Sequence, residues 1–214
     1  MIGLVDGYFE TVPSVWHKEI LWALSQGIQV YGSSSVGALR AVELAPFGMR
    51  GVGKVFEDFR DGILQDDDEV ALLHAPEELD YAPLSEPMVN MRATVEKAAY
   101  EGLLNLELSR ILLESAKSLF YKERTWDAAA VLSMTKRRYR IDEIRRACEI
   151  VKRNLVDQKR KDAQAVCSEI AKAAVNAPDP GLQSFLFSQT VAWSNAFPKK
   201  RIAHKTSLIA PYLA

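Results

Sequence analysis

The chain is poor in cysteine, has no long apolar run and carries almost no net charge, and each shortage excludes a class of protein. Two cysteines, Cys148 and Cys167, in 214 residues make neither a disulfide framework nor a metal-ligand pattern. Their alanine-rich helical settings predict buried free thiols. No stretch approaches the ~20 apolar residues of a membrane span, and no basic segment precedes the first strand. A cytoplasmic protein without a membrane partner is therefore expected. A formal net charge of −1 exerts no global pull toward nucleic acid. The basic clusters Lys136–Arg140 and Lys159–Lys161 are interleaved with acids in helix-like sequence and read as solvated faces. Metal-binding spacings such as H-E-x-x-H and the EF-hand loop are also missing. No metal or other cofactor is expected, and the acidic run Asp66–Glu69 reads as an exposed turn.

What is present has a clear order. Residues 2–5 form a short apolar run that stops at Asp6-Gly7, a buried strand ending in a turn. After Pro13, the residues Trp16, Ile20, Ala23 and Leu24 recur at helical spacing, with Ser14 or Val12 as cap and Gly27 as stop. Ile28–Tyr31 reads as a second strand and Val36–Ala45 as a second helix. Strand, helix, strand predicts a βαβ unit with parallel strands. Gly48–Gly53 reads as a glycine-rich connection, Lys54–Arg60 as a helix and Val70–His74 as a third strand. From about Ser85 the period becomes helical, through Met88–Leu104, Leu106–Phe120, Thr125–Leu132, Ile141–Val151 and Leu155–Ala174, until Pro178 and Pro180 break it. The fold class is α/β: a parallel βαβ layer over residues 1–82 and an all-helical part over residues 83–214, packed together. In Phe120–Trp126, Phe120 and Trp126 are expected to enter the core, while Tyr121 and Arg124 are candidates for a partner-facing surface.

The chemistry concentrates in Gly32-Ser-Ser-Ser-Val-Gly37. A strand, a Gly-Ser turn and a helix start put Ser33, Ser34 or Ser35 at a helix N-terminus, where unpaired N–H groups and the macrodipole favour anions. A serine there can be an N-cap worth about 1 kcal/mol, an anion ligand or a nucleophile. The spacing is not G-x-S-x-G, because two residues separate Gly32 from Ser35. Parallel strands share a polarity, so Asp6, the Gly7–Pro13 loop and the three serines are expected at one carboxyl edge of the sheet. Lys18, near the positive end of helix one, is a candidate proton acceptor for a serine hydroxyl. Its alternative is a solvent-facing helix residue. Lys159 is a second candidate if the helical part folds back over that edge. His17 is expected to hydrogen-bond near the loop. Arg40 either faces an anion or pairs with Glu43.

Several segments, in one order, resemble the TfuA-like family. They are Ile2–Phe9, Val15–Leu24, Ser35-Val-Gly-Ala-Leu-Arg-Ala41 and Asp67–Ala71, extended by Pro83–Arg92 and Phe120–Trp126. The resemblance is dense over residues 2–92. It implies a companion of YcaO enzymes in peptide backbone thioamidation, within the biosynthesis of peptide natural products. The implied activity is hydrolysis of a thiocarboxylated, ubiquitin-like sulfur carrier of the ThiS kind, releasing sulfide for the YcaO enzyme, which holds the precursor peptide. A serine–lysine pair is the implied device. It selects Ser35, with Lys18 as its partner and Lys159 as the alternative. Val36, Gly37 and Arg40 then form the oxyanion or anion site, and Asp6 and His17 support it. The runner-up is a non-catalytic adaptor that brings peptide and sulfur carrier to the YcaO enzyme. The chain departs from the family in reading Ser33-Ser-Ser-Val-Gly-Ala where members commonly have Ala-Ala-Ser-Met-Gly-Ala. Members also often carry a further segment ahead of the equivalent of Ile2.

Overall fold

A computed structural model describes residues 1–6, 13–136, 138–175 and 185–196. It divides into a compact unit over residues 1–184 and a second over residues 185–214. In the first unit, strands β1 (Ile2–Leu4), β2 (Val30–Ser33) and β3 (Arg50–Val52) form a three-stranded sheet in the order β1-β2-β3. Both pairings are parallel, with Gly3 opposite Tyr31 and Gly32 opposite Gly51. The α/β class and the parallel βαβ opening thus match the expectation. The third strand does not: it lies within the Gly48–Gly53 segment read as a connection. Three residues between glycines leave no alternation to detect, and the register comes from pairing with β2. Val70 and Ala71, in the segment read as a strand, are buried but lie outside the sheet.

Helices α1 (His17–Ser25), α2 (Val36–Leu44) and α3 (Lys54–Arg60) belong to the sheet layer. The N-cap of α1 is Trp16, not Ser14 or Val12, and its N–H is taken by the Glu19 carboxylate at 2.7 Å. The central strand β2 is buried along its whole length. Side chains on a strand alternate between faces, and β2 uses both. Gly32 faces α2, whereas the Ser33 hydroxyl reaches the backbone of α8 (Gln158–Val175). On the α8 face, Gly3 meets Ile170.

Close approach of α2 depends on missing side chains. A Cβ on Gly32 would lie 2.0 Å from the Gly37 carbonyl oxygen, and one on Gly37 would lie 1.9 Å from Leu4 O. Neither neighbour is a flexible side chain, so the helix itself must move. Gly32→Ala is expected to cost about 3 kcal/mol, read as a lower urea midpoint with an unchanged slope.

The remaining helices of this unit are α4 (Met88–Tyr100), α5 (Leu106–Lys117), α6 (Trp126–Thr135) and α7 (Ile141–Arg153). Their apolar stripes, including Met91, Leu112, Trp126, Ile144 and Val151, close a second core beside that of the sheet. Val89 of α4 packs into the sheet core, joining the two. Thr125 caps α6 as its sequence position implies, accepting the Ala128 N–H at 3.1 Å.

Several side chains sit where the sequence did not put them. Phe120 is exposed, whereas Tyr121 and Arg124 are buried, so the Phe120–Trp126 segment is a core connector and not a partner-facing surface. Cys148 is buried but Cys167 is exposed on α8. Lys159 is 7% exposed, so the cluster around it is not wholly a solvated face. The acidic turn is tied down as well. Arg124 binds Asp68 Oδ2 at 2.5 Å, Arg92 binds Glu69 at 2.8 Å, and Lys117 contacts Asp66, Asp68 and Glu69. Burial works against the charge on Asp68, but its bonds to Lys117 and Arg124 win and hold its carboxyl below the ordinary range. The Pro178 and Pro180 break lies outside the described residues. The second unit contains α9 (Val191–Ala196), where Trp193 meets Phe187 edge-on at 5.4 Å. No helix among the described residues is long and apolar enough to cross a membrane.

Candidate functional site

The turn from β2 to α2 is strained. Ser34 has φ +69°, and the Ser35 N–H turns back to the Ser33 carbonyl at 2.8 Å while also reaching Val5 O at 3.1 Å. A three-residue turn of this kind with positive φ is rare, and a non-glycine residue held there costs on the order of 1–3 kcal/mol. The strain is held by the end of β1, because Val5 O also receives the Gly37 N–H at 3.4 Å.

The three serines are now unequal. Ser33 Oγ lies between two carbonyl oxygens, Val52 O at 2.7 Å and Asp162 O at 2.9 Å, and donates to either. Ser34 carries the turn. Ser35 occupies the N-cap position of α2 but makes no side-chain capping bond. Its hydroxyl is buried and has no hydrogen-bond partner among the described residues. A buried hydroxyl without a partner is destabilising by about 1–3 kcal/mol. Capping, the ordinary reason for a serine at this position, does not account for it.

Lys159 stands in the first turn of α8. Its Nζ lies 3.2 Å from Asp6 Oδ2 and donates to Val70 O at 3.1 Å. Burial pushes its pKa below the ordinary lysine value, against the opposing pull of the Asp6 carboxylate. The start of α8 is fastened to α4, where Asn90 Oδ1 accepts the Lys159 N–H at 3.1 Å. Two connections therefore converge on neighbouring residues at the end of β1: the Ser35 backbone on Val5 and the Lys159 amine on Asp6.

The other sequence-predicted residues are distributed differently. Lys18 lies in the first turn of α1 and is partly buried. Val36 and Gly37 open α2 and are buried, with the Gly37 N–H engaged by Val5. Arg40 binds Glu43 at 2.7 Å, Val15 O at 3.1 Å and Ser14 Oγ at 3.2 Å. His17 meets the same Glu43 carboxylate at 2.7 Å. Arg40 and His17 thus join Glu43 in a cluster that ties α1 to α2, which is the pairing reading of Arg40. The Gly7–Val12 part of the loop expected at this edge lies outside the described residues. Sequence reasoning missed Asn90 and Asp162. The only signal for Asp162 was its place three residues after Lys159, on the same face of a predicted helix.

These features define a parallel α/β protein with a strained strand-to-helix serine turn and a buried lysine brought to the same sheet edge by a distant helix. The chain belongs to the TfuA-like protein family, whose family model matches residues 6–125. That span holds Asp6, Lys18 and Ser35, and ends before α8. A comparison with curated proteins finds no match. The family is linked to thioamidation and acts with YcaO enzymes.

Proposed function

We propose that the chain is a serine–lysine hydrolase that releases sulfide from a thiocarboxylated, ubiquitin-like carrier of the ThiS type. The sulfide serves a YcaO enzyme that thioamidates a bound precursor peptide. The observation that carries this reading is the Ser35 hydroxyl: buried, making no capping bond and, among the described residues, unbonded, at the end of a strained turn. The base role falls to Lys159 in preference to Lys18. In support, Lys159 is buried, bonded to Asp6 next to the residue that holds Ser35, and its burial favours the neutral amine.

In the first step the neutral Lys159 amine takes the Ser35 proton as Ser35 Oγ bonds to the thiocarboxylate carbon. The Val36 N–H, at the positive end of α2, supports the oxyanion. The C–S bond then breaks, and sulfide leaves with the proton held by Lys159. Lys159 next takes a proton from the water that attacks the acyl-serine and passes it to Ser35 Oγ as the acyl C–Oγ bond breaks, regenerating Ser35 and releasing a carboxylate. Thiocarboxylate and water give carboxylate and hydrogen sulfide, with no change of oxidation state. Because Ser35 is enclosed, the site must open to admit the carrier's tail, and opening contributes to the observed rate.

The test is sulfide release from a thiocarboxylated carrier. Ser35→Ala is expected to lower the rate at least ~10³-fold while leaving the fold intact. Equal rates for variant and wild type would remove the nucleophile and favour the adaptor reading, in which the chain delivers carrier and peptide to the YcaO enzyme without cleaving anything.

A further inference from the structure

Resting on the Ser35–Lys159 reading, we infer that Asp162 is the positioning residue of the site, clamping α8 across the ends of β2 and β3 so that Lys159 stays in register with the serine turn. Asp162 is 3% exposed and is bonded on three sides. Its Oδ2 accepts the Val55 N–H at 2.7 Å and its Oδ1 the Gln158 amide at 2.7 Å. Its main-chain oxygen accepts the Ser33 hydroxyl at 2.9 Å. One residue therefore joins α8 to the first turn of α3 and to the last residue of β2.

The chain entering α3 is shaped around this carboxyl group. Gly53, at φ +97°, would bring a Cβ to 2.4 Å from Asp162 Cγ. Gly53 has no side chain to cap α3, and the cap arrives from a helix over a hundred residues later. What the distant carboxyl adds is a bond between α3 and α8. Lys159 lies one turn before Asp162 on the same face of α8, so the clamp fixes where the lysine emerges. Val70 O and Asp6 then receive its Nζ. The charged groups acting on the two residues are Asp6 and Asp157 on Lys159, and Glu57 on Asp162.

Two substitutions separate the clamp from simple loss of fold. Asp162→Ala removes both side-chain bonds. Asp162→Asn keeps an oxygen for the Val55 N–H and an amide that can pair with the Gln158 carbonyl. Asp162→Ala is expected to lower the kcat of sulfide release about 10²-fold, the scale of a displacement near 1 Å, with KM near wild type. Asp162→Asn should recover most of that loss. Titration of Lys159, followed by NMR of isotope-labelled lysine side chains, should move toward the ordinary lysine range in Asp162→Ala and stay near wild type in Asp162→Asn. If Asp162→Ala does not fold, Ser33→Ala removes the third Asp162 bond, along with the Ser33 contact to Val52 O, leaves both carboxyl bonds in place and should give a smaller shift in the same direction. A drop in activity that merely follows the folded fraction, with Lys159 titration unchanged, would overturn the clamp. If the wild type releases no sulfide, the functional reading fails, and the Lys159 titration alone decides the positioning role.

Discussion

Lys159→Met is expected to reduce sulfide release by about 10³-fold or more and, at the same time, to raise the melting temperature. Both effects come from one cause. Taking an ammonium out of water is costly, and burial is the leading influence on Lys159. Methionine keeps most of the volume and removes the charge. Asp6 is left without this partner, but its side chain is 41% exposed and stays solvated. The pH dependence has a definite sign. The Lys159 pKa is lower in the folded state than in the unfolded chain, so between the two values the unfolded chain binds more protons and stability rises with pH. The wild-type penalty is complete below the folded pKa and fades as pH climbs to the ordinary lysine value. The stability gain in Lys159→Met should therefore be largest at acidic pH and shrink as pH rises from the folded pKa toward the ordinary lysine value, as calorimetry across pH would show. A variant that is both inactive and less stable at neutral pH would mean that Lys159 is a structural cation and not a strained functional one.

Arg124→Met is expected to produce the largest loss of stability among these substitutions, about 3–5 kcal/mol, without lowering kcat per folded molecule. Arg124 is fully buried. Its guanidinium donates to Ala116 O at 3.1 Å, Asp68 O at 3.0 Å and Leu119 O at 3.1 Å, and pairs with the Asp68 carboxylate. Its own carbonyl receives the Glu86 N–H at 2.7 Å. Removing the side chain strands carbonyl oxygens in the interior and leaves Asp68 to Lys117. A carboxylate with a lowered folded pKa contributes stability that is present above its unfolded pKa and lost as pH falls through the folded one. Without Arg124 that contribution is smaller, and the acid-unfolding midpoint followed by circular dichroism should move to higher pH. An unchanged urea midpoint would show that Arg124 is dispensable.

Much of this architecture was legible because it is local. The helical period of Met88–Tyr100 and Ile141–Arg153 is written in residues three and four apart, and Thr125 caps α6 through a bond to Ala128. The strand-to-helix turn could be read from Gly32 through Gly37 for the same reason. β3 was missed because Arg50-Gly-Val is too short to carry a pattern. Tyr121 and Arg124 were misread because burial of an arginine depends on acceptors supplied by Asp68 and the end of α5, which no local pattern encodes.

The sequence by itself therefore determined the first two strands, the main helices and the serine-bearing turn, since each rests on interactions within a few residues. Local pattern left the three serines equal and the family resemblance pointed to Ser35, but only the tertiary structure gave them different surroundings. Ser33 is engaged because Val52 and Asp162 arrive from elsewhere, and Ser35 is left without a bond among the described residues because none of the groups packed around it meets its hydroxyl with hydrogen-bond geometry. The encounter of Asp6 with Lys159, across 153 residues, is likewise decided by packing. Desolvation and ion pairing depend on distances in space, and a position in the chain does not determine them.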